Sequence, residues 1–172
     1  MSVLSDLSVA ELLAGYAAHM AELRVRKIVR SANNPLADYA EHLFCRAFKW
    51  EPAKKVEAGY DATDPVTDKR YQIKGRRISP ESISRQLSFI RKLDAPVRPF
   101  DFLAGVLVDE HFRVTRAALV PFDIVRAKAT RVESVNGWRF ILRDDIWELD
   151  GVENVTAHLR AVEREIDRNL IL

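Results

Sequence analysis

The sequence predicts an α/β domain in which a mixed β-sheet is flanked by helices. Segments with apolar residues at helical spacing alternate along the chain with short strand-like segments. The run Phe102–Val108 is continuously apolar, which is typical of a central strand covered on both faces. With 172 residues, 48% of them hydrophobic, the chain is long enough to bury one substantial core, and a single domain over 1–172 is expected.

Two helices are expected before the first strand. Ser8 and Glu11 form a capping-box pattern at the start of the first helix, whose role we interpret as support over residues 1–30. Asn34 followed by Pro35 is typical of the start of a second helix. The first helix is expected over 9–29 with apolar positions Leu12, Tyr16, Met20 and Leu23, and the second over 35–50 with Leu36, Tyr39, Ala40, Leu43, Phe44 and Ala47.

The pattern then changes to that of a β-hairpin. Val56–Thr63 and Arg70–Gly75 have strand character, and the turn-rich segment Asp64–Asp68 joins them. Farther along, Phe112–Val120 is expected to pair with Phe102–Val108. The hairpin and these two strands belong to a predicted core over residues 34–120.

A third helix is expected between the hairpin and the central strand. Ser79 and Pro80 would open it, and apolar residues at spacings of four, three and three would face the core. A C-terminal part over residues 121–172 should add a short helix, a strand and a closing helix. These segments are Ile83, Leu87, Ile90 and Leu93 for the third helix, Pro121 to about Lys128 for the short helix, Trp138–Leu142 for the strand, and Val155, Leu159, Val162 and Ile166 for the closing helix.

Polar side chains converge at the open end of the predicted hairpin. In the second hairpin strand Gln72 and Lys74 alternate with apolar neighbours, so both should project from the same face. Asp61 lies on the partner strand. Glu41 lies at the margin of the buried face of the second helix, where it would reach the same site if that helix packs against the hairpin.

This combination of groups suits phosphodiester cleavage assisted by Mg²⁺ or Mn²⁺. A hard cation prefers oxygen ligands, which Asp61, Glu41, Gln72 and the carbonyl of Ile73 would supply. Lys74 would orient or deprotonate the attacking water and offset charge on the phosphate. We therefore predict a catalytic set of Glu41, Asp61, Gln72 and Lys74.

Positive charge is concentrated directly after this site. The segment from Lys69 to Arg98 holds nine basic residues against two acidic ones, a local balance of +7 in a chain whose net charge is +2. Such a segment can attract a phosphate backbone, although a solvated helix face has the same composition. The candidate backbone contacts are Arg76, Arg77, Ser79 and Arg85, with Ser79 at the start of the third helix.

The order and spacing of these residues resemble those of the PD-(D/E)XK, or restriction-endonuclease-like, nucleases. The resemblance covers about residues 34–78: NPLADYAEHLF, which contains Glu41, then Gly-Tyr-Asp61, then Tyr-Gln72-Ile-Lys74. It implies an αβββαβ core, here with an extra N-terminal helix, and Mg²⁺-dependent hydrolysis of DNA in restriction or another defence role. Gln72 stands where most members carry an acid, and this Gln-x-Lys version resembles the Mrr-like enzymes.

Other readings remain open at this point. The domain would alternatively bind nucleic acid or a protein without cutting, and RNA is not excluded as the substrate. A homodimer would suit the cutting of both strands. The single Cys45 is interpreted as a small buried residue and the four histidines as structural or surface residues. The absence of an apolar run near 20 residues predicts a cytoplasmic protein with no membrane partner.

Overall fold

The computed structural model describes residues 3–53 and 59–168. Within them, the helices are α1 (Val9–Val25), α2 (Leu36–Phe48), α3 (Phe122–Lys128) and α4 (Thr156–Arg168). The strands are β1 (Glu51–Pro52), β2 (Ala62–Thr63), β3 (Arg70–Arg77), β4 (Phe102–Val108), β5 (Val114–Pro121), β6 (Thr130–Val132), β7 (Gly137–Arg139) and β8 (Glu153–Asn154).

Six of the strands form one mixed sheet in the order β1-β2-β3-β4-β5-β8. The central pair, β3 and β4, is parallel, and the other neighbours are antiparallel. Strands β6 and β7 form a separate two-stranded ribbon. The predicted α/β class with a mixed sheet is therefore confirmed, as are the hairpin of β2 with β3 and the pairing of β4 with β5.

Helices α2 and α4 cover one face of the sheet. The apolar positions predicted for both helices all lie in the core cluster on this face or pack against it, and Tyr71 and Ile73 of β3 belong to the same cluster. Trp50, which follows α2, stacks on Tyr71 with ring centroids 3.5 Å apart. The opposite face is covered by the segment between β3 and β4 and by residues after β5, with Leu87, Phe100 and Phe140 fully buried.

A glycine in β3 lets α2 lie close to the strand. A Cβ atom added at Gly75 would lie 3.1 Å from Cγ of Leu36, closer than side chains normally approach, and 3.4 Å from Cβ of Ala40. The helix is thereby held against β3 along its first turns. Because Glu41 directly follows Ala40, this packing carries Glu41 to the margin of β3.

Helix α1 is less buried than its apolar spacing predicts. The capping box of Ser8 and Glu11 is present, but the helix ends at Val25. Met20 is buried, whereas Leu12 and Tyr16 are 43% and 54% exposed, so the apolar positions of the first turns lie outside the core. In the described ranges, no helix, this one included, is long and apolar enough to cross a membrane.

The prediction of a third helix between β3 and β4 is wrong. The chain from Ile78 to Asp101 follows an irregular course, in which the N–H groups of Leu87 and Ile90 donate to the carbonyls of Phe140 and Trp138 at 3.0 and 2.9 Å. Leu87, Ile90 and Leu93 are still buried, but Ile83 is 79% exposed. Backbone pairing with a distant extended segment has replaced the local helical hydrogen bonds.

The hairpin and the C-terminal strand are shorter than predicted. Strand β2 is limited to Ala62–Thr63, and residues 56–58 of the expected strand lie outside the described residues. The strand expected over Trp138–Leu142 is β7 followed by an isolated bridge between Ile141 and Gln86. Strands β1, β6 and β8 were not predicted, because two or three residues give no detectable periodicity.

Candidate active site

The hairpin opens directly beside Asp61. Its backbone N–H donates to the carbonyl of Tyr71 at 2.8 Å, in the manner of a strand residue. At the next position of β3 the side chain of Asp61, rather than its backbone, forms the hydrogen bonds. Oδ2 of Asp61 accepts the N–H of Ile73 at 2.7 Å and also the side-chain amide of Gln72. The structure therefore brings Asp61, Gln72 and Ile73 together.

Strand β3 divides its side chains between two faces as its alternation predicts. Tyr71 and Ile73 are buried beneath α2, whereas Gln72 and Lys74 are half-buried on the opposite face. Lys74 lies two residues beyond Gln72, roughly 7 Å along an extended strand. Lysine and amide thus share one face, with the carboxylate of Asp61 at its edge.

Two oxygen atoms of β3, Oε1 of Gln72 and the carbonyl of Ile73, lie near Asp61 as possible cation ligands. Gln72 donates through Nε2, so its Oε1 atom is available as an acceptor. In an extended strand the N–H and C=O of one residue point to the same edge. The carbonyl of Ile73 therefore points to the edge where its N–H meets Asp61.

Glu41 is close enough to Asp61 for the two charges to interact. Burial raises the pKa of Glu41, the Arg30 guanidinium opposes this shift, and the negative charges of Asp61 and Asp38 add to it. Glu41 forms an ion pair with Arg30, and its side chain is 20% exposed. A half-buried carboxylate beside a second one favours a bound cation.

The chemistry of this donor set fits a hard divalent cation. Asp61 and Glu41 supply carboxylate oxygens, and Gln72 and Ile73 supply neutral oxygens, the ligand type that Mg²⁺ and Mn²⁺ prefer. Over residues 3–53 and 59–168 there is no group of three or more His, Cys, Asp or Glu side chains arranged to hold a metal. Such a site would therefore depend on the amide and backbone oxygens as well as on the carboxylates.

Cys45 lies one helical turn beyond Glu41. Burial raises the pKa of its thiol to about 11, and the negative charge of Glu41 acts in the same direction. The thiol is therefore protonated at neutral pH and is a poor nucleophile. The side chain of Cys45 is only partly buried, so the prediction of a small buried residue holds in part.

The four predicted backbone contacts have different surroundings. Arg76 donates to the carbonyl of Ser84 at 3.0 Å and to the hydroxyl of Ser82 at 2.9 Å, so it holds the irregular segment in place. Arg85 pairs with Asp144 at 2.8 Å. Both guanidinium groups are thus committed to internal contacts that bound DNA would have to displace.

The two remaining predicted contacts are Arg77 and Ser79. Arg77 is exposed, with its guanidinium 5.0 Å from the centroid of the Phe112 ring. Ser79 exchanges backbone hydrogen bonds with Ser82 at 3.1 and 2.9 Å. Since no helix begins there, the helix N-terminal phosphate site expected at Ser79 is wrong.

Sequence reasoning missed Arg30 and Asp38. Arg30 pairs with Glu41 and lies 3.6 Å from the carboxylate of Asp38. One signal was present, because Asp38 and Glu41 are three residues apart and so share a side of α2. Two neighbouring carboxylates at a helix margin favour a nearby cation, but the sequence pattern does not identify which one.

Gln72→Glu is expected to destabilise the metal-free protein. The change replaces an amide that donates to Asp61 with a carboxylate that repels it. Loss of a hydrogen bond to a charged group costs about 2 kcal/mol in the free energy of unfolding. Urea unfolding at pH 7 with a chelator measures this loss, which should shrink when Mn²⁺ is added, because a bound cation offsets the repulsion between the two carboxylates. Equal stability of variant and wild type at pH 7 would contradict the contact.

The chain was also compared with known proteins. No protein-family model matches it, and no curated protein matches it either.

Proposed function

We propose that this chain is a metal-dependent nuclease that hydrolyses DNA phosphodiester bonds, of the PD-(D/E)XK restriction-endonuclease-like type. The observation that carries the proposal is the meeting of Asp61, Gln72 and the backbone of Ile73 at the opening of the hairpin, with Glu41 beside them. These groups come from three separate segments of the chain. Their convergence is what a cation site for phosphoryl chemistry requires.

The arrangement of elements supports the same proposal. A helix carrying Glu41 precedes strands β1, β2 and β3, and β4 then lies parallel to β3. This order agrees with the αβββαβ core that the resemblance implies, except that an irregular segment stands in place of the helix between β3 and β4. That segment covers the same face of the sheet that a helix would cover, so the strands that carry the site keep their order.

The residues of the site would have separate roles in hydrolysis. Mg²⁺, when bound by Asp61, Glu41, Gln72 and the carbonyl of Ile73, would polarise the phosphate and lower the pKa of a coordinated water. Lys74, on the same face as Gln72, would orient the attacking water and offset the negative charge that builds on the phosphate oxygens. The hydrogen bonds from Gln72 and Ile73 hold Asp61 in one orientation before substrate arrives.

One observation favours a second candidate, a nuclease-like domain that binds nucleic acid without cutting it. Arg30 already neutralises Glu41, and Gln72 supplies no charge. Exposed basic residues such as Arg77 would then provide affinity for the phosphate backbone. Metal-dependent cleavage separates this candidate from the nuclease.

The proposal is tested by incubating supercoiled DNA, linear DNA and RNA with the purified protein in Mg²⁺, Mn²⁺ or a chelator. We expect cleavage of DNA that requires the metal, and about a tenfold slower rate for Glu41→Gln, which removes one carboxylate charge without changing shape. A contaminating nuclease would not respond to this substitution. Intact DNA in every metal, together with salt-dependent binding, would instead support the non-cutting domain.

The same experiment shows whether one or two copies of the chain cut the DNA. Cutting both strands of a duplex in one binding event requires two copies of the site, which a homodimer would supply. Two sites that act together should convert supercoiled DNA directly to the linear form. Accumulation of nicked circles would indicate that a single copy acts alone.

A further inference from the structure

The ion pair between Arg30 and Glu41 joins the connection between α1 and α2 to the candidate site. The guanidinium contacts Oε2 of Glu41 and lies 3.6 Å from Oδ1 of Asp38. The side chain of Arg30 is 54% exposed, whereas that of Glu41 is 20% exposed. A mostly solvated cation therefore neutralises a mostly buried carboxylate.

The backbone at Arg30 is fixed even though its side chain is not. The N–H groups of Arg30 and Ser31 both donate to Oδ2 of Asp38, at 2.8 and 2.7 Å. Asp38 thus pins this connection onto α2, one turn before Glu41. Only the side chain of Arg30 needs to rotate for the guanidinium to leave Glu41.

Space for that rotation lies next to the ion pair. A cavity of about 390 Å³, open to solvent, is bounded by Lys27, Arg30, Glu41 and His42 among others. The guanidinium can therefore move into solvent without displacing core side chains. The backbone of Glu41 stays in place, because α2 is packed against β3.

We infer that Arg30 is a built-in counter-ion that occupies Glu41 in the metal-free protein and competes with the divalent cation there. This inference rests on the proposed function. A guanidinium at Glu41 repels an incoming divalent cation, and one carboxylate oxygen is already engaged. Release of Arg30 from Glu41 accompanies metal binding, so Arg30 sets the metal concentration at which the site loads.

The test is the affinity of the full chain for Mn²⁺, measured by isothermal titration calorimetry without nucleic acid. Arg30→Gln is expected to tighten binding about tenfold, since a nearby positive charge is removed. Arg30→Lys keeps the charge and should bind Mn²⁺ about as weakly as wild type. The matched control is Arg46→Gln, because Arg46 also lies on the cavity wall but pairs with Glu165 at 2.7 Å. It should leave the affinity unchanged.

The Glu41→Gln background shows whether Arg30 lowers the Mn²⁺ affinity through its ion pair with Glu41. In that background Arg30→Gln should no longer tighten Mn²⁺ binding. Circular dichroism and thermal unfolding confirm that each variant is folded. Arg30→Met, a second uncharged variant, replaces Arg30→Gln if Arg30→Gln does not fold. Tightening by Arg30→Gln that disappears in the double variant supports the inference.

Two outcomes overturn the inference, and they differ in what they say about the proposed function. If wild type binds Mn²⁺ and Arg30→Gln binds it equally or more weakly, Arg30 is not a competitor and the nuclease proposal stands. If neither protein binds Mn²⁺ and DNA stays intact in every metal, the inference fails together with the proposed function.

Discussion

Lys74→Met is expected to abolish most DNA cleavage while leaving the fold and metal binding intact. Methionine keeps the length of the side chain but removes its positive charge at the half-buried position beside Gln72. The attacking water and the phosphate oxygens would lose their cationic partner, and removal of such a group typically lowers the rate by about a hundredfold or more. The rate constant for loss of supercoiled DNA under saturating Mg²⁺ measures the change.

The matched control for this variant is Lys69→Met. Lys69 is an exposed lysine directly before β3, so its removal changes the net charge equally without touching the opening of the hairpin. Its cleavage rate should stay within about twofold of wild type, as for a screened surface charge. Equal losses in the two variants would assign the effect to general attraction of DNA and would argue against a catalytic lysine.

Several elements were predicted correctly because their signals are local. The apolar residues of α2 recur at helical spacing, and Leu43 and Phe44 among them are fully buried. Strand β4 was recognised because almost every side chain in it is buried on one face or the other. In both cases the residues that determine the element lie within a dozen positions of one another.

The segment around Leu87 and Ile90 shows where local reasoning failed. Its apolar spacing fits a helix, and these residues are indeed buried. Yet the N–H and C=O of Ile90 both pair with Trp138, nearly fifty residues away. A periodicity argument reports which side chains are buried, but it does not show which distant backbone competes for their hydrogen bonds.

The candidate site was likewise predictable from the sequence only in part. The shared face of Gln72 and Lys74 follows from strand alternation alone, so it was predictable. The contact of Asp61 with Ile73 required the hairpin register, which the turn largely determines. The pairing of Arg30 with Glu41 depends on the path of the connection between two helices, for which the sequence contains no periodic signal.

Asp61→Asn is expected to remove both metal binding and cleavage. Asparagine has the same shape, and its carbonyl oxygen can still accept the N–H of Ile73, so the opening of the hairpin should persist. The site loses a full negative charge and retains Glu41, which Arg30 already neutralises. Because the remaining oxygens of Gln72 and Ile73 are uncharged, we expect Mn²⁺ affinity to fall at least about tenfold and cleavage about a thousandfold.

Asp68→Asn provides the comparison for that substitution. Asp68 is exposed in the same hairpin and has a positive φ of 56°, a conformation that asparagine also tolerates. It should therefore keep wild-type stability, Mn²⁺ affinity and cleavage rate. Calorimetry and the supercoiled-DNA assay on the two variants separate a ligand role from a general charge effect. If Asp61→Asn still binds Mn²⁺ and cuts DNA at the wild-type rate, the cation is held elsewhere and the opening of the hairpin is only a structural feature of the sheet.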